Sequence, residues 1–191
     1  MRILYYLTLF IIPHNLLLEA KKCKVRLIDA TDHLIRYEDA LKMQQKLVDY
    51  HVSLQEIKKS PYEENIVGSM IMLQHKPVYT LGSGTVIGSG PFSSISKDGS
   101  VLEYEMFQVE RAGQATYHGP GQLVIYPILD LSYFYKDINW YLRALEDIAI
   151  QTIDMHGIKS ERKNLPGYTG VWVGDSKLAA IGIKIKRWYN V

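Results

Sequence analysis

Cysteine is almost absent: Cys23 is the only one in 191 residues. A single thiol can form no internal disulfide and no multi-cysteine metal site, so a reducing compartment is compatible with the composition. Charge of one sign is missing as well. Lys and Arg number 22 against 20 Asp and Glu, a formal charge of +2, whereas a nucleic-acid footprint needs basic residues gathered on one face. The chain also lacks a long apolar run. Ile3 to Ile12 (ILYYLTLFII) falls short of the about 20 residues that a helical membrane span requires. What remains, 47% hydrophobic and 22% charged, suits one globular domain with a sizeable core, since domains commonly run to roughly 100–200 residues.

That apolar run follows Arg2, is broken by Pro13, and leads to basic positions at Lys21, Lys22 and Lys24. Two readings are open: a signal-like or organelle-targeting leader, or a strand or helix packed on the domain. No secretory cleavage site is evident. Residues 1–23 are set aside as an atypical apolar leader, and the domain is read over 24–188.

Tyr37, Ala40, Leu41, Gln44, Leu47, Val48 and His51 recur at helical spacing behind Thr31 and Asp32, which are candidate caps; the pattern predicts an amphipathic helix ending before Pro61. Ile66 to Leu73 (IVGSMIML) reads as a buried strand, interrupted at Lys76-Pro77 before Val78, Tyr79 and Thr80. Gly82 to Gly90 is glycine-rich but lacks the terminal Lys-Ser/Thr of a phosphate-binding loop. Val101 to Arg111 and Gln122 to Leu131 are strand candidates. A second helix is expected over Asp137 to His156, with Ile138, Tyr141, Leu142, Leu145, Ile148 and Ala149 on one face and Gly157 as its stop. Tyr168 to Val173 and Leu178 to Ile185 complete a β-rich second half, Ile181, Ile183 and Ile185 alternating with Lys184 and Lys186. The expected class is α/β, one domain with a mixed or antiparallel sheet.

Between two strand candidates stands RAGQATYHGPGQLVIYP, Arg111 to Pro127. Glycine permits close backbone approach, proline fixes φ, and a histidine at the bend offers its ring nitrogens to a ligand. A backbone cradle and a plain hairpin turn with a surface His118 both fit these residue types.

As a whole, this word closely resembles the signature of the lipoyl(octanoyl) transferases, approximately RGG-x-x-TYHGPGQ-L-x-x-YP, with Ala112 as the departure in the first triplet. His75 to Gly82 (HKPVYTLG) resembles the family's strand and turn upstream. Thr169 to Ile185 (TGVWVGDSKLAAIGIKI) resembles its second core word. Three words in order, over about Lys24 to Lys186, make the resemblance specific.

The resemblance implies a biotin/lipoate-protein-ligase-like fold, a mixed sheet flanked by helices, here lacking its C-terminal part. It implies transfer of an octanoyl group from octanoyl-acyl-carrier protein to a lysine of lipoyl domains, a step of protein lipoylation, through a cysteine acyl-enzyme. Acceptors would be lipoyl domains of 2-oxoacid dehydrogenase complexes or the glycine cleavage H protein; no cofactor, metal, nucleic acid or stable membrane span is called for. By the same resemblance Arg111, Ala112, Gly113, Gln114, Ala115, Thr116, Tyr117 and His118 line the acyl site. Lys177 keeps the cysteine ionised, and Ala180, Ile181 and Gly182 lie near the reacting carbonyl. A neighbouring ammonium does favour a thiolate, and backbone N–H groups can hold an oxyanion.

The family's cysteine lies beyond the lysine strand, after a Ser-His-Gly-Leu-Ala-Leu-Asn type of word, and Trp188-Tyr189-Asn190-Val191 precede any such segment. Cys23 matches no family position. The expectation is a C-terminally shortened member whose form here lacks the nucleophile. A non-catalytic acyl-chain or carrier-protein binding module and an ATP-using lipoate or biotin ligase stand as alternatives. The compartment implied is mitochondrial for a eukaryotic source, towards which the leader leans, and cytosolic for a bacterial one.

Overall fold

A computed structural model describes residues 2–8, 24–57, 66–85, 105–186 and 189–190; Cys23 and the glycine-rich stretch from 86 onward lie outside them. The first sheet has the order β1 (Arg2–Thr8), β2 (Lys24–Ile35), β3 (Ile66–His75), β7 (Val124–Leu129). It is mixed: β2 and β3 run parallel, and the outer pairs are antiparallel. The parallel pair is joined through α1 (Tyr37–Ile57), as a parallel connection requires a crossover. The backbone of Arg2–Thr8, from the stretch set aside above, thus forms one edge of this sheet.

Along β3 the odd positions Val67, Ser69, Ile71, Leu73 and His75 are all buried, the period-two signature of a strand with one face in the core. Ile71, Leu73, Val124 and Ile128 pack with Ala40 and Val48 of α1. Each fully buried branched aliphatic contributes about 1.5–3 kcal/mol. His51 adds a buried hydrogen bond to Ser69 at 2.9 Å. Leu41, expected on the same face, is 44% exposed.

The cap expectation at Thr31 and Asp32 is wrong. Both residues lie within β2, and α1 starts at Tyr37. The Asp29 carboxylate accepts from Thr31 N and Oγ1 at 3.0 and 2.7 Å, a local turn that shifts the β2–β3 register between Ala30 and Leu34. What resembles a helix cap in the sequence is a strand bulge. Arg36 closes the actual start, its guanidinium on both Asp39 oxygens at 2.9 and 3.0 Å.

A second, three-stranded sheet sets β4 (Val78–Leu81) between β5 (Glu105–Gln108), parallel to it, and β6 (Thr116–His118), antiparallel. A 3₁₀ turn (Leu131–Tyr133) leads to α2 (Ile138–Asp154), capped by Asp137, whose carboxylate accepts from the Asn139 and Trp140 N–H groups. Tyr141 is buried with Val25, Val67, Leu129 and Leu131. Gly157 follows the helix at φ +73°. A third sheet orders β10 (Ser176–Ala179), β9 (Val171–Val173) and β8 (Glu161–Arg162); β11 (Ile185–Lys186) and β12 (Tyr189–Asn190) form a fourth.

The strand expected over Leu178 to Ile185 is also corrected. It divides into β10 and β11, and residues 180–184 between them belong to no strand. The break includes Gly182, which lies against the Arg111 side chain.

Candidate functional site

Arg111 organises the site. It sits in the connection from β5 to β6, where Ser83 N donates to its carbonyl at 3.1 Å and Gly84 N to that of Gly113 at 3.0 Å. The turn after β4 is therefore sewn to the signature loop. Its Nη2 donates to Thr80 O, Thr80 Oγ1 and Thr116 Oγ1 at 3.0, 2.9 and 2.8 Å. Nη1 donates to Gln114 O at 3.0 Å and Ala112 O at 3.3 Å. All these acceptors are neutral oxygens. Burial pulls the guanidinium's pKa below its ordinary value, but an arginine keeps its charge nonetheless. The guanidinium is a half-buried cation in a cage of carbonyls and hydroxyls.

His118, at the end of β6, continues the network. Its Nδ1 lies 2.9 Å from Gln122 Oε1, and its Nε2 lies 3.1 Å from Thr80 Oγ1. An amide oxygen only accepts, so Nδ1 carries the proton and Nε2 accepts from the Thr80 hydroxyl. Thr80 thereby receives from Arg111 and gives to His118. Burial, outweighing the Gln122 hydrogen bond, lowers the His118 pKa to about 4, with His75 and Arg111 adding to the shift. The imidazole is neutral at neutral pH.

Beneath it lies His75, the buried last residue of β3, with ring centres 5.8 Å apart. Its Nδ1 donates to Ile35 O at 2.9 Å, and its Nε2 accepts from the Tyr126 hydroxyl at 2.8 Å. Burial lowers the His75 pKa and pushes the Tyr126 phenol far up. Tyr37 stacks between His75 and Phe107 at 5.5 and 4.8 Å. Gln74 bonds the β2 bulge at Thr31 O (2.9 Å) and receives Gly121 N (2.7 Å), which anchors the HGPG turn to the main sheet. His118 is thus no loose surface residue of a hairpin. Every nitrogen of the two rings has a partner.

The predicted residues divide by where they point. Arg111, Thr116 and His118 turn inward; Ala112, Gly113 and Gln114 are exposed, with Ala115 half-buried. Tyr117 is 42% exposed, packed on Tyr79 at 5.2 Å. Gly182 comes against the Arg111 side chain, where an added Cβ would stand 2.8 Å from Cδ. Lys184 pairs with Glu110 beside it. These contacts bring the second core word onto the first. Ala180 is exposed and Ile181 half-buried. Lys177 is turned elsewhere: its Nζ donates to Thr169 O at 2.9 Å and lies 4.9 Å from the centre of the Trp172 ring. Among the described residues, no three His, Cys, Asp or Glu side chains converge as metal ligands.

Sequence reasoning missed Thr80, Tyr126 and Glu146, and noted His75 only as the first letter of a word. A signal existed for two of them. His75 continues the odd-numbered row Val67, Ile71, Leu73, and Glu146 interrupts the apolar stripe of α2 beside Leu145.

Residues 36–191 match the family described as the lipoyl protein ligase A/B catalytic domain. The chain is 41% identical over 158 residues to an octanoyltransferase of Nostoc punctiforme, which covers 83% of this chain and 62% of the relative. An octanoyltransferase of Clostridium kluyveri is 42% identical over 168 residues, 88% of this chain and 65% of the relative. A chloroplastic octanoyltransferase of Arabidopsis thaliana is 38% identical over 169 residues, 88% and 55%. The chain spans less than two thirds of the length of each of these relatives. Among solved structures, ATP-bound lipoate-protein ligase A matches with TM-score 0.55 at 13% identity, over 85% of this chain and 61% of that one. P. falciparum LipL1 in complex with lipoate matches with TM-score 0.51 at 18% identity, over 80% and 42%. The architecture is that of the lipoate-protein ligases, as the resemblance implied.

Proposed function

The chain belongs to the lipoyl protein ligase A/B catalytic-domain family, and from that premise we propose that it is an octanoyltransferase of protein lipoylation. The octanoyl donor is octanoyl-acyl-carrier protein and the acceptor is a lysine of a lipoyl domain. A cysteine thiolate attacks the thioester carbonyl; a new C–S bond forms, the carrier's C–S bond breaks, and the carrier leaves as a thiolate that takes up a proton. The lysine amine then attacks the acyl-enzyme, the amide forms, and the thiolate is released as the amine loses its proton. Lys177 favours the thiolate by its charge. Arg111 to His118 bound the acyl site, and Ala180 to Gly182 lie beside the reacting carbonyl. If the source is eukaryotic, the reading goes with a mitochondrial compartment.

The observation that carries this reading is the seating of Gly182 on Arg111. It joins two segments that the sequence separates by 71 positions, 111 to 182, and those segments hold the residues that the resemblance assigns to one site. We propose that the acyl-carrying cysteine is a residue other than Cys23, in the part of the relatives' length that this chain does not span.

The test follows the octanoyl group by intact mass in mixtures of octanoyl-acyl-carrier protein, an apo lipoyl domain and this protein. The chain alone is expected to bind the carrier and gain no hydroxylamine-labile octanoyl group. With the family's cysteine segment appended it is expected to acylate the lipoyl lysine without ATP. A labile adduct on Cys23 would overturn the assignment of the nucleophile. Transfer from free octanoate that requires ATP would replace the transferase by a ligase, and carrier binding without transfer by the extended form would leave the binding module.

A further inference from the structure

The peptide unit joining Thr169 to Gly170 is held at both polar ends by charged side chains. Its N–H donates to Glu146 Oε1 at 2.9 Å, and its carbonyl accepts from Lys177 Nζ at 2.9 Å. A trans peptide is planar, with its N–H and C=O pointing in opposite directions. Whatever fixes the N–H therefore aims the carbonyl.

Glu146 is an unusual residue for its place. It lies on α2 next to the apolar face that packs the main sheet, and none of its surface reaches solvent. Its second oxygen accepts from Arg143 Nη1 at 2.7 Å, and Arg162 Nε stands 4.0 Å away. A buried carboxylate is costly unless its lone pairs are engaged, and here one of them is spent on the backbone N–H of a different element. Gly170 makes the junction possible. Its φ of +128° suits glycine, and a Cβ there would meet Ala179 O at 2.5 Å and the Lys177 Cδ and Cε at 3.5 Å. The stem of Lys177 runs past this bare glycine, and its ammonium ends between the Thr169 carbonyl and the Trp172 ring.

We propose that Glu146 is a positioning residue for Lys177, acting through the Thr169–Gly170 peptide. The carboxylate orients and polarises the peptide, and the carbonyl so aimed holds the ammonium; hydrogen bonds in series strengthen one another in this way. The inference rests on the role proposed for Lys177 and adds what holds that lysine still. A charge that must favour a thiolate is more effective when its position is set before the thiolate forms.

The test labels amines competitively at low reagent concentration and reads each lysine by peptide mass spectrometry, Lys177 being normalised to Lys42 and Lys46. In Glu146→Ala the Thr169 carbonyl loses its orientation, and the Lys177 rate is expected to rise about three- to tenfold, the factor that corresponds to one ordinary hydrogen bond. Glu146→Gln, made together with Arg143→Ala so that no cation competes for its one oxygen, keeps an acceptor for the Gly170 N–H and is expected to restore a rate near that of the parent. If Glu146→Ala does not fold, Glu146→Asp retracts the acceptor while keeping the charge for Arg143, and the same rise is expected. An unchanged Lys177 rate in a folded Ala or Asp variant overturns the proposal, as does a rise shared by all lysines. So does a Gln variant whose Lys177 is as fast as in the Ala variant. The labelling needs no acyl donor, so failure of octanoyl transfer with this coupling intact counts against the transferase reading alone.

Discussion

Gly182 lies against the stem of Arg111, so close that an added Cβ would stand 2.8 Å from Cδ. The guanidinium cannot simply swing aside, because it makes five hydrogen bonds to Ala112, Gln114, Thr80 and Thr116. Gly182 is itself exposed, so the cost of Gly182→Val comes from its crowding of the held Arg111 stem alone, an expected loss of about 1–3 kcal/mol. Arg111→Lys should cost a comparable amount while leaving the Gly182 contact free, since an ammonium cannot reproduce the fork. Urea titration of the three proteins checks this. The double variant should cost less than the sum, as the two residues share one contact.

His118 makes the protein sensitive to acid. Its folded pKa of about 4 lies below the ordinary value of 6.5, so between those limits the unfolded chain binds the extra proton. Stability is therefore fully present above about pH 6.5 and falls as pH drops towards 4. Because the ring is only partly buried, the loss is about 1–2 kcal/mol, after discounting for solvent screening. His118→Gln should flatten the stability profile across that window, as measured by denaturant midpoints at half-unit steps of pH. His75, also lowered by burial, should leave a smaller slope of the same sign.

Tyr126→Phe removes the hydroxyl that donates to His75 Nε2 at 2.8 Å. The acceptor is then stranded in a residue with no exposed surface, which costs about 1–3 kcal/mol. Calorimetric or chemical melts should show that loss with little change of far-ultraviolet circular dichroism, because β7 keeps its backbone ladder with β3.

Lys177→Met tests the proposed electrostatics in the form that carries the family's cysteine segment. The nucleophile's pKa should rise, at about 1.4 kcal/mol for each unit. Acyl transfer at neutral pH should slow by about tenfold or more and recover as the solution is made alkaline. Octanoyl-carrier affinity should change less, since Lys177 contacts Thr169 and Trp172 and not the Arg111 cage. A lost affinity with an unmoved pH profile would make Lys177 a docking residue.

By itself, the sequence determined the features whose information is local. The period of 3.6 places Tyr37, Ala40, Gln44 and Val48 on the buried side of α1, and the apolar run from Ile66 to Leu73 is a buried strand. Asp137 opens α2 as expected, and the helix ends at Asp154, two residues short of the expected His156, before Gly157 at positive φ. The signature words, whole and in order, pointed to the family. Tertiary structure decided what depends on partners far along the chain. Thr31 and Asp32 have cap chemistry, but β2 is paired with β3 on both sides of them, at Ala30 and Leu34, so they form a bulge within the strand. Residues 180–184 alternate like a strand, but they lie between β10 and β11 in no strand, with Gly182 against Arg111. Only the register of β4 between β5 and β6 makes the Thr80 hydroxyl a shared partner of Arg111 and His118. Glu146 reads in the sequence as a flaw in an apolar stripe. Its meaning comes from Gly170, 24 residues away, because the carboxylate's cost is offset by a backbone N–H that no periodicity could have placed beside it.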